Sequence, residues 1–308
     1  MQKLLYGVAG LVALLIVIGL AMPRTHRIEV STQIDSNPST IFVLLNDFRR
    51  HALWSSLADA DAGTRFLYSG ADTGRGATMS WNGVAAGSGM QTIVESDPYE
   101  RVSILINPGE PGEAVSVFSL APGPGVTTVS RSFEVDYGMN LVGRYFAPIF
   151  GRIVARDYQQ GLDRLKELAE NLPKANFGDL AIERTTVGAS TVAYIATGSR
   201  PDADAMDAAM DAAYFQVSKF IETHGLSVNG APLLIVHSFA GPKMLFDAAI
   251  PVAGVGETTP TDGATVGIRS PSAGPVILLE HRGSRRLLAN THRKVSAYLA
   301  AAGLERHG

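Results

Sequence analysis

Hydrophobic residues run without an intervening charge from Leu4 to Met22, at the amino terminus of the chain. At a rise of ~1.5 Å per residue, a helix of this length is about as long as a bilayer core is thick. The pattern predicts a transmembrane anchor over residues 1–24 and a location at the cell membrane. A cleaved signal peptide is the alternative, because Gly19 and Ala21 are small residues of the kind that precede a cleavage site.

The charges that flank this apolar run do not orient it. Lys3 and the free amino group precede the run, and Arg24 and Arg27 follow it. Because these charges nearly balance, the positive-inside rule gives no preference for either orientation. The side of the membrane on which the soluble domains lie is therefore left open.

Apolar and polar residues then alternate over residues 27–35, which is typical of a half-buried strand. Asn37 and Pro38 supply an N-cap oxygen and a first-turn residue, and they predict a short amphipathic helix. Strand-like runs separated by Gly, Pro, Asp and Asn predict an antiparallel meander. These runs are 64–69, 77–82, 90–95, 101–106, 114–120 and 126–136.

A long helix closes this region, because apolar residues recur at intervals of three and four from Tyr145 to Leu168. Pro148 must lie at a first turn or a kink of this helix. The elements together predict an antiparallel sheet that grips the long helix, over residues 25–172. We expect a cavity between the sheet and the helix, because a curved sheet cannot contact a helix along its whole length.

The chain beyond Pro173 contains a repeat. TVAYIATGSR (191–200) and PVILLEHRGSR (275–285) each precede an amphipathic helix that ends at a glycine. Two further strands, 232–240 and 243–253, follow the first helix, whereas only a few residues follow the second. The predicted fold class is therefore α+β, with a duplicated β-α-β-β domain over 173–308 whose last strands are missing. The open sheet edge would favour self-association.

Composition and charge narrow the function classes. A net charge of −3 and the absence of zinc-finger or helix-turn-helix spacing argue against nucleic-acid binding. The chain has no cysteine, which excludes disulfides, thiolate metal sites and cysteine nucleophiles. The seven histidines lack the His-x-x-x-His spacing of a metal site, and no nucleophile elbow or phosphate loop is present. We therefore expect neither a metal nor a cofactor.

Three segments of the first domain carry a resemblance to a known superfamily: IDSNPSTIFVLLNDFRRHALWSSL, FLYSGADTGRGATMSWNG and YFAPIFGRIVARDYQQGLDRLKELAE. They resemble the SRPBCC superfamily in its polyketide-cyclase/dehydrase-like, START-related branch, over about residues 26–170. The resemblance implies a helix-grip fold with one cavity, in members that range from lipid carriers to cyclases. Arg131 departs from it, because an aromatic residue is usual at this position in similar sequences.

The resemblance also suggests which aromatic residues contact a ligand. Trp54 would lie in a short second helix that covers the cavity mouth, and Tyr68 and Trp81 are further candidates for ligand binding. The simpler interpretation is that all three pack in the core, as aromatic residues usually do. Arg49, Arg50 and His51 are most simply a solvated face.

The second domain resembles the GyrI-like small-molecule-binding domain, which is also the effector-binding part of some AraC-type regulators. The residues that carry this resemblance are VAYIATG, FDAAIPV and VILLEHRGSRRLLANTHRKVSAYLAAAGL. The family implies a groove between two related halves, lined by aromatic side chains and often by an acidic group. By motif position, the candidate ligand-binding residues are Tyr194, Phe246, Asp247 and Glu280.

Asp247 and Glu280 lie in otherwise apolar segments, and a buried carboxylate is costly unless it is paired. Each must therefore have a partner, reach solvent or face a polar cavity. The alternative is an exposed strand face, since alternate residues of a strand point outward. His237 is most simply a core histidine with a satisfied hydrogen bond.

These observations predict membrane-anchored binding or sensing of a hydrophobic or amphipathic small molecule. The first alternative is a cyclase, dehydrase or hydrolase that uses a buried carboxylate such as Glu280 as acid or base. The second alternative is a structural module that recruits a partner chain through its sheet edge.

Overall fold

The computed structural model of the protein describes residues 2–55, 63–84, 87–107, 113–200, 202–238, 243–254, 265–270, 273–281, 284 and 287–305. The chain divides into two compact units. The first contains the described residues of 2–179 together with those from Arg293 onward, and the second contains the described residues between Leu180 and His292.

The first unit starts with the apolar helix α1 (Gln2–Ala21). The strand β1 (Thr25–Ile34) and the helices α2 (Pro38–Leu45) and α3 (Phe48–His51) follow. The next strands are β2 (Arg65–Gly70), β3 (Ala77–Gly83), β4 (Gly87–Asp97), β5 (Arg101–Ile106), β6 (Ala114–Pro122) and β7 (Thr127–Asp136). The long helix α4 (Leu141–Glu170) completes the series and contains Pro148 in its interior.

The seven strands form one antiparallel sheet in the order β1-β7-β6-β5-β4-β3-β2. Strands β2 to β7 are a meander, and β1 returns to pair with β7 over its full length, from Thr25↔Asp136 to Ile34↔Thr127. The predicted meander and large antiparallel sheet are thus confirmed. The core lies on one face of this sheet and includes α2, α3 and the carboxyl-terminal half of α4.

Helix α4 is buried on only part of the surface that the sequence pattern assigns to its apolar side. Leu162, Leu165 and Ala169 are fully buried against the sheet. Phe146 and Ile153 belong to the same apolar periodicity, yet both are more than half exposed. The pattern is therefore correct for the helix but wrong for the burial of its first half, because Ala147 and Gly151 form the inward face there.

The second unit contains β8 (Glu183–Val187), β9 (Val192–Ser199), α5 (Ala203–Thr223), β10 (Ser227–Val228), β11 (Leu233–Ser238), β12 (Met244–Ala253), β13 (Gly267–Arg269) and β14 (Gly274–Leu278). Strand β12 is central, with β9 on one side and both β10 and β11 on the other. Strand β13 pairs with β9 on the side away from β12. Helix α5 packs on one face of this sheet through Ala213, Val217 and Phe220.

The two predicted repeat copies have similar local elements but different pairing. Strand β9 of the first copy lies in the five-stranded sheet, whereas β14 of the second copy pairs with β8 in a separate two-stranded sheet. Helix α5 and the last helix, α6 (Leu288–Ala302), both end at glycines with positive φ, Gly225 (63°) and Gly303 (66°). Gly283 and Arg285 of the second copy lie outside the described residues.

From Arg293 onward α6 belongs to the first unit. The Lys294 ammonium forms an ion pair with Asp179. The Tyr298 ring packs edge-on against Phe177, with 5.5 Å between ring centroids. These contacts place the carboxyl-terminal helix beside the segment that directly follows α4.

Candidate functional site

The core of the helix-grip domain contains a buried cation. Arg131 lies in β7 at a position that pairs with Val30 of β1 and Phe118 of β6, and it is 8% exposed. Its Nε donates a hydrogen bond to the hydroxyl oxygen of Ser116, at 3.2 Å. No carboxylate in the described part of the chain lies within ion-pair distance of this guanidinium. Arg131 is therefore a charged group inside an otherwise apolar core.

Aromatic rings surround this guanidinium. Its Cζ lies 3.4 Å from the ring centroid of Tyr158, 4.7 Å from that of Phe118 and 6.0 Å from that of Trp54. Burial lowers the pKa of Arg131, while Tyr158 and Asp157 act in the opposite direction. Cation–π contacts of this kind can contribute about 2 kcal/mol or more when they are desolvated, so the rings partly replace the missing carboxylate.

His51 is the second buried polar group of this site. Its Nε2 lies 2.9 Å from the carbonyl oxygen of Leu45, so this nitrogen carries the proton and donates it. The ring packs against Trp54, with 4.6 Å between centroids. Burial lowers the pKa of His51 to about 3; the hydrogen bond to Leu45 opposes this effect, and the positive charge of Arg131 adds to it. His51 is therefore neutral near pH 7.

The sequence interpretation of His51 as part of a solvated face is wrong, because His51 is 3% exposed. Helix α3 is only four residues long, and its positions i and i+3 share one face. Phe48 and His51 occupy these positions and both point into the core. The spacing from Phe48 is the sequence signal that could have identified His51.

The family resemblance suggests a lid position for Trp54 and the simpler interpretation is core packing; Trp54 is fully buried, and its role as a ligand contact stays a prediction. Its indole N–H donates a hydrogen bond to the carbonyl oxygen of Leu44, at 3.3 Å, and its ring meets Phe118 edge-on. The chain after α3 thus turns inward and brings Trp54 into the core beside Arg131.

Gly161 of α4 lies next to this pair. A Cβ atom at this position would be 3.9 Å from Arg131 Nη1 and 3.8 Å from the carbonyl oxygen of Trp54. These are ordinary contact distances, so the missing side chain leaves room for about one methyl group. Gly161 therefore keeps the helix backbone close to the cation without covering it.

Tyr68 and Trp81 lie on the core-facing side of β2 and β3, and both are half-buried at the margin of the same core. The Arg49 guanidinium lies over the Tyr68 ring, at 5.4 Å, and burial raises the pKa of the Tyr68 hydroxyl. Trp81 pairs with Gly89 across β3 and β4, and its ring covers the space that a Gly89 side chain would need. Their role as ligand contacts stays a prediction.

A surface depression of about 640 Å³ lies elsewhere in the first unit. Its lining comes from the start of α2, the β4–β5 turn and the end of β6, and it includes Pro38, Asp97, Tyr99 and Arg101. None of the predicted ligand-binding residues contributes to it. This depression is open and lined in part by the charged side chains Asp97, Glu100 and Arg101.

The second unit contains a buried carboxylate. Asp247 in β12 is 2% exposed, and its Oδ2 lies 2.6 Å from Arg269 Nη2 and 2.9 Å from His237 Nε2. Both distances are those of ion pairs, although the angles fall outside hydrogen-bond geometry. The Arg269 guanidinium also lies over the Tyr194 ring, at 4.4 Å. Arg269 and His237 thus occupy the position that a cationic ligand would need beside Asp247.

The four predicted residues of the second unit do not share one site. Tyr194 and Asp247 lie on the sheet face opposite α5, as the strand registers show. Phe246 is the neighbour of Asp247 in the strand and is fully buried on the other face, because adjacent strand residues point in opposite directions. Glu280 is exposed and follows the end of β14, so it does not lie inside an apolar strand as expected. Their ligand-binding roles stay predictions.

The sequence interpretation of His237 as a satisfied core histidine is wrong. Its side chain is 42% exposed and lies beside Asp247. A shift in the β11–β12 register between Val236 and Ser238 places His237 at the irregular position of the strand. Strand alternation alone could not have indicated this.

Comparisons with known proteins address the first domain. The chain is similar in structure to a Chromobacterium violaceum protein, with 21% identity and a TM-score of 0.36, over 48% of this chain and 99% of that one. It is also similar to truncated norcoclaurine synthase from Thalictrum flavum, with 14% identity and a TM-score of 0.39, over 48% and 94% of the respective chains. No curated protein matches the sequence.

The family comparison agrees with the architecture described above. Residues 25–170 match the family described as polyketide cyclase/dehydrase and lipid transport, and the fold of this stretch is of the polyketide cyclase/dehydrase type, which is consistent with small-molecule binding.

Proposed function

We propose that the protein is a membrane-anchored binder of a small amphipathic molecule, whose anionic group contacts Arg131 in the helix-grip domain. The observation that carries this proposal is the buried Arg131 guanidinium, which has no carboxylate at ion-pair distance among the described residues and on which Asp157 acts from a greater distance. A buried cation is costly unless it is paired, and an anionic ligand group would supply the missing charge. The aromatic rings and neutral His51 beside it suit an apolar ligand body.

Contacts between α1 and α4 support retention of α1 as an anchor. A Cβ atom on Gly19 would lie 3.1 Å from the Tyr145 ring and 3.3 Å from Leu141, so this glycine permits close helix packing. The buried Arg144 donates hydrogen bonds to the carbonyl oxygens of Gly19, Leu20 and Met22. Removal of α1 as a signal peptide would leave Arg144 without its acceptors Gly19 and Leu20.

The segment Leu4–Ala21 is the one helix among the described residues that is long and apolar enough to cross a membrane. This segment has a mean hydropathy of 2.6, and 6% of it is buried. A signal sequence near the amino terminus has the same properties. The packing of Gly19 against α4 and the hydrogen bonds of Arg144 to α1 are what favour the anchor.

The test is identification of molecules that copurify with the detergent-extracted full chain, by native mass spectrometry followed by organic extraction. We expect the unmodified protein to retain an acidic amphipathic molecule. Arg131→Met should retain at least about tenfold less of this molecule, which corresponds to the loss of one charge-assisted contact. The matched control is Arg101→Met, since Arg101 is half-exposed and pairs with Glu95. Equal retention by all three proteins, or retention by none, would contradict the proposal.

A second candidate function is supported by Asp247 and His237. A buried carboxylate beside a partly exposed histidine is an arrangement in which the carboxylate orients a general base. This arrangement favours the enzymatic alternative, with Asp247 rather than exposed Glu280 as the relevant carboxylate. In a screen of activated esters and amides, turnover that His237→Gln abolishes and Glu280→Gln preserves would support this role. Equal turnover by all three proteins would exclude it.

A further inference from the structure

The amino-terminal half of α4 carries an apolar face that the protein leaves exposed. The α4 apolar face consists of Val142 (66% exposed), Phe146 (51%), Ile149 (57%), Phe150 (58%) and Ile153 (62%). At ~100° per residue, these side chains fall within an arc of about 100° on the helix surface. Met139, 77% exposed, directly precedes the helix. A soluble surface helix normally turns such an arc toward the core, and exposed patches of this kind mark binding surfaces.

This arc does not belong to the buried side of α4. Ala147, Gly151 and Tyr158 face inward in the same segment, and a Cβ atom on Gly151 would meet His26 and Ile28 of β1. The helix therefore has two apolar sides in its first half. One side packs on the sheet, and the other side is exposed.

The first turns of α4 lie beside the end of the apolar helix α1. The Tyr145 hydroxyl donates a hydrogen bond to the carbonyl oxygen of Leu15, and Gly19 packs against Leu141 and Tyr145. Leu15 precedes the end of α1 by a distance of about 9 Å along the helix axis. If α1 spans the bilayer, Tyr145 lies at the depth that interfacial helices reach, about 5–10 Å below the headgroups.

The exposed charges beside the α4 apolar face are mainly positive. The segment Leu141–Arg156 contains Arg144, Arg152 and Arg156 and no aspartate or glutamate, and Asp157 is the acidic residue that follows this segment directly. Arg152 and Arg156 are exposed and lie next to the apolar arc on one side of the helix. Cationic side chains at this position can extend to anionic lipid headgroups while the apolar residues enter the acyl region.

We propose that the α4 apolar face inserts into the surface of a bilayer that contains anionic lipids and holds the helix-grip domain against the membrane. The proposal rests on the anchoring role proposed for α1. It goes further, since an anchor alone requires only α1 in the membrane. The exposed apolar side chains, their continuity with α1 and the basic margin all point to the same occupant.

The full chain offers a direct test, because it contains no native cysteine and single cysteines can be labelled selectively. Ile149→Cys and Ile153→Cys would carry an environment-sensitive fluorophore in the full chain, reconstituted into vesicles of phosphatidylcholine and phosphatidylglycerol. The matched control is Leu67→Cys, since Leu67 is 68% exposed on β2. A label on Leu11→Cys reports whether α1 lies inside the bilayer.

We expect nitroxide lipids with a shallow label to quench the fluorophores at positions 149 and 153 at least about threefold more than at position 67. Lipids with a deep label should quench position 11. A second set of proteins with Arg152→Glu and Arg156→Glu should show weaker quenching at position 149 in the anionic vesicles. In vesicles of phosphatidylcholine alone, these substitutions should reduce the quenching by a smaller amount.

Quenching at position 11 without quenching at 149 and 153 would overturn this inference and leave the anchor intact. Absence of quenching at position 11 would overturn both. A third outcome is energy transfer between copies labelled at position 149 without lipid quenching at that position. It would show that a second copy covers the α4 apolar face, and it would also overturn the inference.

Discussion

Arg131 in the helix-grip domain and Asp247 in the second unit are both buried charges on central antiparallel strands, but they are stabilised differently. Asp247 has the Arg269 guanidinium at ion-pair distance and the His237 ring at 2.9 Å. Arg131 has aromatic rings and one hydroxyl oxygen, without a carboxylate among the described residues. The difference indicates that the charge of Asp247 is compensated within the fold, whereas Arg131 lacks an ion pair among the described residues, which is the basis of the proposed ligand contact.

The two units can be measured separately in the intact protein. Both tryptophans of the chain, Trp54 and Trp81, lie in the first unit, so tryptophan fluorescence reports the unfolding of that unit. Hydrogen exchange of peptides from β12 reports the second unit. The following predictions use these two observables.

The largest effect is expected for Arg269→Met. This change leaves the Asp247 carboxylate buried beside His237 alone, and removal of one partner from a buried pair costs about 3 kcal/mol. We expect this loss in the free energy of opening of β12, measured by hydrogen exchange. Arg200→Met is the control, because Arg200 is 79% exposed and should change stability by less than about 0.5 kcal/mol. An unchanged free energy of opening of β12 in Arg269→Met would show that the Asp247–Arg269 pair does not stabilise the fold.

The next effect concerns pH and the first unit. His51 has its pKa lowered to about 3 in the folded protein, whereas an unfolded histidine titrates near 6.5. The unfolded state therefore binds a proton first as the pH falls, and the stability present above about pH 6.5 is progressively lost toward pH 3. We expect a loss of about 1 kcal/mol per pH unit between roughly pH 6 and 4, from urea titrations followed by tryptophan fluorescence.

His51→Gln is the control for this pH dependence. Glutamine can still donate to the carbonyl oxygen of Leu45 but does not titrate. The slope between roughly pH 6 and 4 should therefore decrease by about 1 kcal/mol per pH unit in this variant. An equal slope in both proteins would mean that other groups control the acid sensitivity of the unit.

A smaller effect is expected for Arg131→Met in the protein without ligand. The variant loses the cation–π contacts but also avoids the desolvation of a buried charge, so the net change should be within about 1 kcal/mol. Tryptophan fluorescence in urea measures it. A loss of 3 kcal/mol or more would show that Arg131 is a structural group like Arg269 and would remove the contrast between the two charges.

The smallest effect is expected for Gly161→Ala. The new methyl group would make ordinary contacts beside Arg131 and Trp54, while alanine favours the helix by up to about 1 kcal/mol. We expect a gain of about 0.5 kcal/mol for the first unit. Gly151→Ala is the contrasting variant, because its Cβ would lie 2.4 Å from the His26 ring. Destabilisation by both changes would show that no space exists beside Arg131.

Local sequence signals determined most elements of the fold. Polar and apolar alternation located the strands of the large sheet within a few residues, and Gly225 and Gly303 marked the ends of two helices. These signals succeed because strand alternation and glycine's access to positive φ act over a few neighbouring residues. The α4 periodicity predicted a helix for the same reason.

Tertiary structure alone decided where the charges and the apolar faces lie. The sequence indicated that Arg131 was unusual, but only the packing of β7 against Tyr158 and Trp54 enclosed it in aromatic rings. The pairing of Asp247 with Arg269 depends on strands that are not adjacent in sequence. Likewise, periodicity identified α4 as amphipathic but could not separate its core side from the exposed α4 apolar face. Burial depends on contacts between distant segments, and a single helix or strand pattern does not contain that information.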